Sequence, residues 1–180
     1  PSNSSAASDV YKRQLPVGYD HKYVYSHFGY NLKATDMQAA VGCAQLKKFP
    51  SFVERRIHNF NYLKEALKGT EDKLILPTAC ENSRPSWFGF LITCREGVDR
   101  NKLVQEIESK GVQTRMLFAG NLTKHPCFDQ MRATGKGYRI AGSLENTDRI
   151  MKDTFWIGVY PGMTDEMLSA MADAIKEALN

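Results

Sequence analysis

Thr35-Asp36-Met37-Gln38 is a helix start written in side chains. The threonine hydroxyl accepts from a free backbone N–H while the glutamine three residues on reaches back, the reciprocal arrangement of a capping box. Met37, Ala40, Val41, Ala44 and Leu46 then fall largely on one side of a 3.6-residue period. Ala39, Ala40, Gly42 and Ala44 on this stretch are small enough to let another helix or subunit come close. Pro50 has no N–H to give and is expected to break this helix. Ser51-Phe-Val-Glu54 is expected to open a second helix, with Val53, Ile57, Phe60, Leu63 and Leu67 as its buried stripe and Gly69 as its stop. Arg55 and Arg56 lie off that stripe and are expected in solvent.

Beyond Gly69 the period changes. Ser86 to Arg95, SWFGFLITCR, is aromatic and β-branched and reads as a strand, with Trp87 and Phe88 expected in the core and, as the less favoured alternative, stacking on a base or sugar. Asp99 caps a helix whose inward residues are Leu103, Val104 and Ile107 and which Gly111 ends. Val112 to Leu117 alternates as a second strand, and 121–142 reads as loop with a short helix near Phe128. Asn146 to Lys152 supplies a helical turn or two, Thr154 to Tyr160 a third strand, and Pro161-Gly162 a turn. Thr164 caps a last helix, with Asp165 and Glu166 at its positive end and Met167, Leu168, Met171, Ile175 and Leu179 inward. This order gives an α+β fold, helices packed on a small, mainly antiparallel sheet.

Composition narrows the function classes. A chain of 180 residues with 42% hydrophobic content suits one domain with a core. No apolar run reaches membrane-spanning length. The net charge of +4 is scattered among acidic residues rather than gathered in a stripe, so neither nucleic acid nor membrane is an expected partner. Cys43, Cys80, Cys94 and Cys127 are far apart and show no ligand spacing. Cys43 on a helix pattern and Cys94 on a strand pattern are expected to be buried free thiols of a cytoplasmic protein. No metal-binding, Ser/His/Asp or phosphate-loop constellation is found, and Glu145 and Asp148 read as helix-start residues rather than a catalytic pair.

The segment Tyr25 to Gln45, YSHFGYNLKATDMQAAVGCAQ, resembles the signature of the DegT/DnrJ/EryC1/StrS sugar aminotransferase family. With Tyr19-Asp-His-Lys-Tyr23 before it, the wording is similar to the branch of CDP-4-keto-6-deoxyglucose 3-dehydratases of dideoxysugar and O-antigen synthesis. The resemblance covers nearly all of Leu15 to Asn180 and implies the C-terminal small domain of a fold-type I enzyme (residues 35–180), entered through a loop at 15–34. It further implies pyridoxal or pyridoxamine phosphate as cofactor, a nucleotide-sugar substrate and a homodimer. An iron–sulfur cluster occurs in one subgroup, with ligands upstream of this segment, and an iron–sulfur flavoprotein reductase completes deoxygenation in related systems.

Site residues carry over one by one. Asn31 matches the Gly-Tyr-Asn asparagine that reaches the cofactor phosphate of the neighbouring subunit; read from the residues alone, an Asn after Gly-Tyr better suits a left-handed turn bonded to its own backbone, and it is the resemblance that favours the phosphate. A helix mouth just behind it would favour an anion. Lys33 stands where many aminotransferase relatives have Arg, and the two cations differ in geometry. His27, Arg115 and Asn121 are the substrate-side candidates, Arg115 for its fork and Asn121 for its place in a segment that turns into the cleft. Asn121-Leu122-Thr123 replaces the Pro-Leu-His pattern of many aminotransferases, which favours the dehydratase branch. No catalytic residue is assigned here, because the resemblance puts them upstream, so the fragment alone is expected to be inactive.

Pro1 to Gln14 lacks any apolar period, and Asp9-Val-Tyr-Lys-Arg-Gln14 back-translates to a transposase adapter, so it is set apart as a non-native or disordered tail. Two other readings stay open. One is a nucleotide-sugar aminotransferase of the same fold, told apart by lysine rather than histidine at the Schiff-base position. The other is a non-catalytic α+β binding domain.

Overall fold

Helix α1 runs unbroken from Asp36–Ala66, through Pro50, in the computed structural model, which describes Tyr30 and residues 34–180. The capping box forms as its sequence dictates: Thr35 N donates to Gln38 Oε1 at 2.9 Å and Gln38 N to Thr35 Oγ1 at 3.3 Å. The break expected at Pro50 does not occur. Proline removes one i→i−4 bond but leaves its neighbours' bonds in place, and Ser51 Oγ donates to Lys48 O at 2.7 Å beside it. The chain falls into two units that meet within α1, after Cys43, and the fold below is that of the second, Ala44–Asn180. The expected boundaries at residues 14 and 34 fall outside the described elements.

In the second unit a four-stranded antiparallel sheet is built from β1 (Leu74–Ile75), β2 (Gly89–Cys94), β3 (Thr114–Met116) and β4 (Thr154–Gly158), in the order β1-β2-β4-β3. Strand β1 has only two residues, too short for any alternating pattern to show in sequence. Between the strands lie α2 (Arg100–Ser109), the short α3 (Asp129–Thr134) and α4 (Glu145–Asp153), and α5 (Asp165–Ala178) closes the chain. The expected helix starts hold: Asp99 accepts from Asn101 N and Lys102 N, and Thr164 Oγ1 accepts from Met167 N. Gly111, at φ +84°, takes the left-handed conformation past the end of α2.

Side chains alternate across the sheet. Phe90, Ile92 and Cys94 of β2 with Phe155 and Ile157 of β4 point to one face and form the core with Phe60, Leu63 and Leu67 of α1, Leu103 and Ile107 of α2, and Leu168 and Ile175 of α5. Of the expected stripes, Phe60, Leu63 and Leu67 of α1, the three of α2, and Leu168 and Ile175 of α5 are in the core, with Met171 and Leu179 packed against it; Val53 and Ile57 are only half-buried, and Met37, Val41, Leu46 and Met167 are exposed. Trp87 joins the core, its ring stacked on Phe60 with centroids 3.9 Å apart and planes 4° apart.

Both arginines expected in solvent are half-buried clamps. Arg55 donates through Nη2 to Met163 O at 2.6 Å and to Asp165 at 2.8 Å, and Arg56 donates to Trp87 O at 2.8 Å. Their long stems cross the helix flank to carbonyls that the turns after β4 and before β2 leave unpaired. Cys43 is exposed rather than buried, because the part of α1 that carries it packs on nothing described. Cys94 is buried, and its burial, reinforced by Asp153, pushes the thiol up to about 11.

Candidate functional site

Strand β3 delivers Arg115 to the face of the sheet opposite the core. Thr114 on one side of it is buried and Arg115 itself is exposed, as the alternation requires. The register places Leu91, Trp156 and Arg115 side by side in one row of that face, since Leu91 pairs with Trp156 and Arg115 pairs with Trp156. The guanidinium of Arg115 donates to Thr114 O at 2.9 Å, and Gln113, with its amide turned, accepts from both Nη atoms at 3.0 Å.

Just past β3 the chain turns sharply. Phe118 adopts φ +47°, a conformation rare for an aromatic residue, and Gly120 follows at +60°. This turn is anchored by Asn121. Its Oδ1 accepts from Thr123 N at 3.1 Å and its Nδ2 donates to Asp148 Oδ1 at 2.7 Å, and the residue is only 3% exposed. His125 Nε2 bonds Ala119 O at 2.6 Å and closes the turn from the other side. Hydrogen bonds from Asn121 and then Lys124 hold the Asp148 carboxyl below the ordinary carboxylate range. Asn121, expected on the substrate side, thus has its amide engaged within the chain and holds the turn that carries Phe118. Asp148 and Glu145 lie in the first turn of α4, as their helix-start reading requires.

The sequence offered Phe88 for stacking only as the less favoured reading and did not single out Trp156 or Phe118 on this face. Phe88, expected in the core, is 65% exposed, and its ring lies 5.0 Å from that of Trp156. Phe118, 76% exposed, lies 6.2 Å from Trp156 on the other side. Alternation counted back from Phe90 and Ile92 would put Phe88 on the core side; β2 begins only at Gly89, and ahead of it Trp87 turns in while Phe88 turns out.

A polar cleft of ≈ 760 Å³ opens at the far end of β2, between Arg95, Arg100, Arg149 and Lys152 with Glu96 and Asp153 interspersed. Arg100 is already spent on Lys152 O at 2.8 Å and Met151 O at 3.3 Å, so the cleft is a mixed-charge surface rather than a concentrated anion site. Among the described residues no cluster of His, Cys, Asp or Glu could hold a metal ion, and no helix is long and apolar enough to cross a membrane.

His27, Asn31 and Lys33 lie outside the described residues. Behind them, the N–H groups of Thr35 and Gln38 are taken by the capping box.

Helices over one face of a small antiparallel sheet, the other face left uncovered by the described residues, fit the C-terminal small domain of a fold-type I pyridoxal-phosphate enzyme. The match to the DegT/DnrJ/EryC1/StrS aminotransferase family covers residues 9–176, and the chain belongs to that family. It is 53% identical over 165 residues to the lipopolysaccharide biosynthesis protein RfbH of Salmonella typhimurium, covering 91% of this chain and 37% of that protein. Over 171 residues it is 48% identical to a dTDP-4-dehydro-2,6-dideoxy-D-glucose 3-dehydratase of Saccharopolyspora spinosa, covering 94% of this chain and 36% of the relative. Among solved structures, a GDP-4-keto-6-deoxymannose-3-dehydratase mutant with bound GDP-perosamine superposes with TM-score 0.73 at 25% identity, over 86% of this chain and 39% of that one. The chain thus spans little more than a third of the length of these relatives.

Proposed function

We propose that this chain is the C-terminal part of a pyridoxal- or pyridoxamine-phosphate-dependent 3-dehydratase that removes the C3 hydroxyl of a CDP-linked 4-keto-6-deoxyhexose in dideoxysugar or O-antigen synthesis. One contrast carries the reading. A relative named as a 3-dehydratase is 48% identical to this chain, whereas one named as a 4-aminotransferase, from the same Saccharopolyspora spinosa, is 23% identical.

In the intact enzyme the cofactor, when bound, supplies an electron sink for loss of the hydroxyl. This chain's own residues do the holding. Asn31, with Lys33 near it, binds the cofactor phosphate of the neighbouring subunit in a homodimer. His27 and Arg115 meet the substrate, Arg115 by offering its fork to a phosphate from the open face of the sheet. Asn121 contributes by fixing the turn beside Arg115. The bond-breaking groups, and the cluster ligands if the enzyme carries an iron–sulfur cluster, belong to sequence preceding Leu15. A reductase of the iron–sulfur flavoprotein type delivers the electrons that complete deoxygenation, in the cytoplasm.

Reading the coding sequence upstream of residue 15 tests this. Histidine at the Schiff-base position supports dehydration, and lysine there would turn the assignment to transamination.

A further inference from the structure

The face of the sheet that bears Arg115 also bears the three rings of Phe88, Trp156 and Phe118, and no other described element covers them. Trp156 is held flat. A Cβ on Gly89 would stand 2.5 Å from Trp156 Cε3, so the indole lies down over that glycine and its outer surface points away from the sheet. Its one polar atom is spent, Nε1 donating to Met116 O at 3.1 Å, which fixes the ring and leaves a bare π-surface. Gly158, paired with Gly89 in the next row, adds no side chain to block it. Phe88 and Phe118 tilt against the indole at 49° and 39°, giving a shallow bowl with aromatic walls.

Two features say what fits this bowl. Phe118 is kept outward at φ +47° by an anchored turn, and such strain persists only where the surroundings over-determine it, typically at ligand clamps. Arg115, beside Trp156 in the register, sets a permanent cation at the rim. A purely apolar occupant would leave that charge unused, and a bare anion would leave the rings unused. A planar heteroaromatic ring joined to phosphate uses both.

We infer that Trp156, flanked by Phe88 and Phe118, is a stacking platform for the base of a nucleotide, whose phosphates are met by Arg115. The inference rests on the nucleotide-sugar reading above and adds the residues that seat the base. Stacking on aromatic side chains tolerates any base, because every base has a π-face. Selection among CDP, dTDP and GDP sugars then falls to groups other than these rings.

Tryptophan fluorescence of the 180-residue chain tests it in a Trp87→Phe background, which leaves Trp156 as the sole reporter. Cytidine diphosphate is expected to quench that emission saturably, and inorganic pyrophosphate is expected to leave it unchanged. Phe118→Ala and Arg115→Gln are each expected to weaken the nucleotide about tenfold, as loss of one stacking or charge partner does. If Trp87→Phe fails to fold, the two indole N–H signals of the unaltered chain serve instead: nucleotide should move the Trp156 signal and leave that of Trp87. Absence of a saturable response, or a response untouched by Phe118→Ala, would overturn the inference. Concentration-dependent self-association abolished by Phe118→Ala, without any nucleotide response, would overturn it in favour of a second copy of the chain. In the full-length holoenzyme, dehydration that persists with an unchanged KM in Phe118→Ala would sink the base site and spare the dehydratase reading. A full-length enzyme that turns over no nucleotide sugar would sink that reading, while the fluorescence titration still decides the platform.

Discussion

Asn121 donates its side-chain amide to Asp148 Oδ1 across 2.7 Å, tying the turn after β3 to the first turn of α4. The same amide accepts from Thr123 N and from Thr123 Oγ1, so a single buried side chain satisfies both segments. Replacing it with Ala removes these bonds, while Asp148 keeps its ion pair with Lys124 and, like Thr123, has access to water, so the turn loosens rather than leaving a buried charge unpaired. Asn121→Ala is expected to lower the urea midpoint and to raise amide exchange at Phe118 and Ala119. An unchanged midpoint would show that the turn is held by other contacts.

Acid sensitivity follows from two carboxyl groups. Asp148 is held below the ordinary carboxylate range by Asn121 and then Lys124, and Asp165 by His58 and then Arg55. Because the folded state depresses both values, their contribution is present above the unfolded value of about 4 and fades as pH falls through the folded ones. Asp148→Asn and Asp165→Asn are each expected to flatten the fall of stability as pH drops below about 4. Chemical denaturation across that range reads the slope, and a slope equal to the parent's contradicts the assignment.

The cysteines divide by reactivity. Cys43, Cys80 and Cys127 are exposed, while Cys94 is buried with its thiol pushed up to about 11. A thiol-specific reagent at neutral pH is expected to label those three at once and Cys94 only after unfolding. Rapid labelling of Cys94 in the folded chain would mean that the sheet opens locally.

The stack of Phe60 on Trp87 fastens α1 to the entry of β2. Phe60 is 2% exposed and also meets Phe90 at 5.0 Å. Phe60→Ala is expected to cost about 3–5 kcal/mol and to red-shift the Trp87 emission, measured by thermal unfolding and fluorescence.

Pro50 sits exposed inside α1. Pro50→Ala restores one backbone bond, and by propensity alone gains up to about 3 kcal/mol for the helix. Increased helicity by circular dichroism without any shift of α1's neighbours is the expected result. A loss of stability would show that the chain depends on proline's shape there.

Why some of this was legible in the sequence and some was not comes down to range. Caps at Thr35, Asp99 and Thr164 act over three residues, so their helices could be read directly. The α+β class followed from periods that change along the chain. Pro50 misled because its cost is local, whereas the helix around it extends over 31 residues. Arg55 and Arg56 misled because their partners, Met163 and Trp87, are distant in sequence. The exposed rings of Phe88 and Phe118 were hidden for a similar reason: only the pairing of β4 with both β2 and β3 brings them to Trp156.

The most direct measurement is product analysis on the full-length protein that contains this chain, supplied with pyridoxamine phosphate, a CDP-4-keto-6-deoxyhexose and a reducing system. The account predicts a sugar that has lost oxygen at C3 and carries no new nitrogen. A 4-amino sugar with its C3 hydroxyl intact would contradict it.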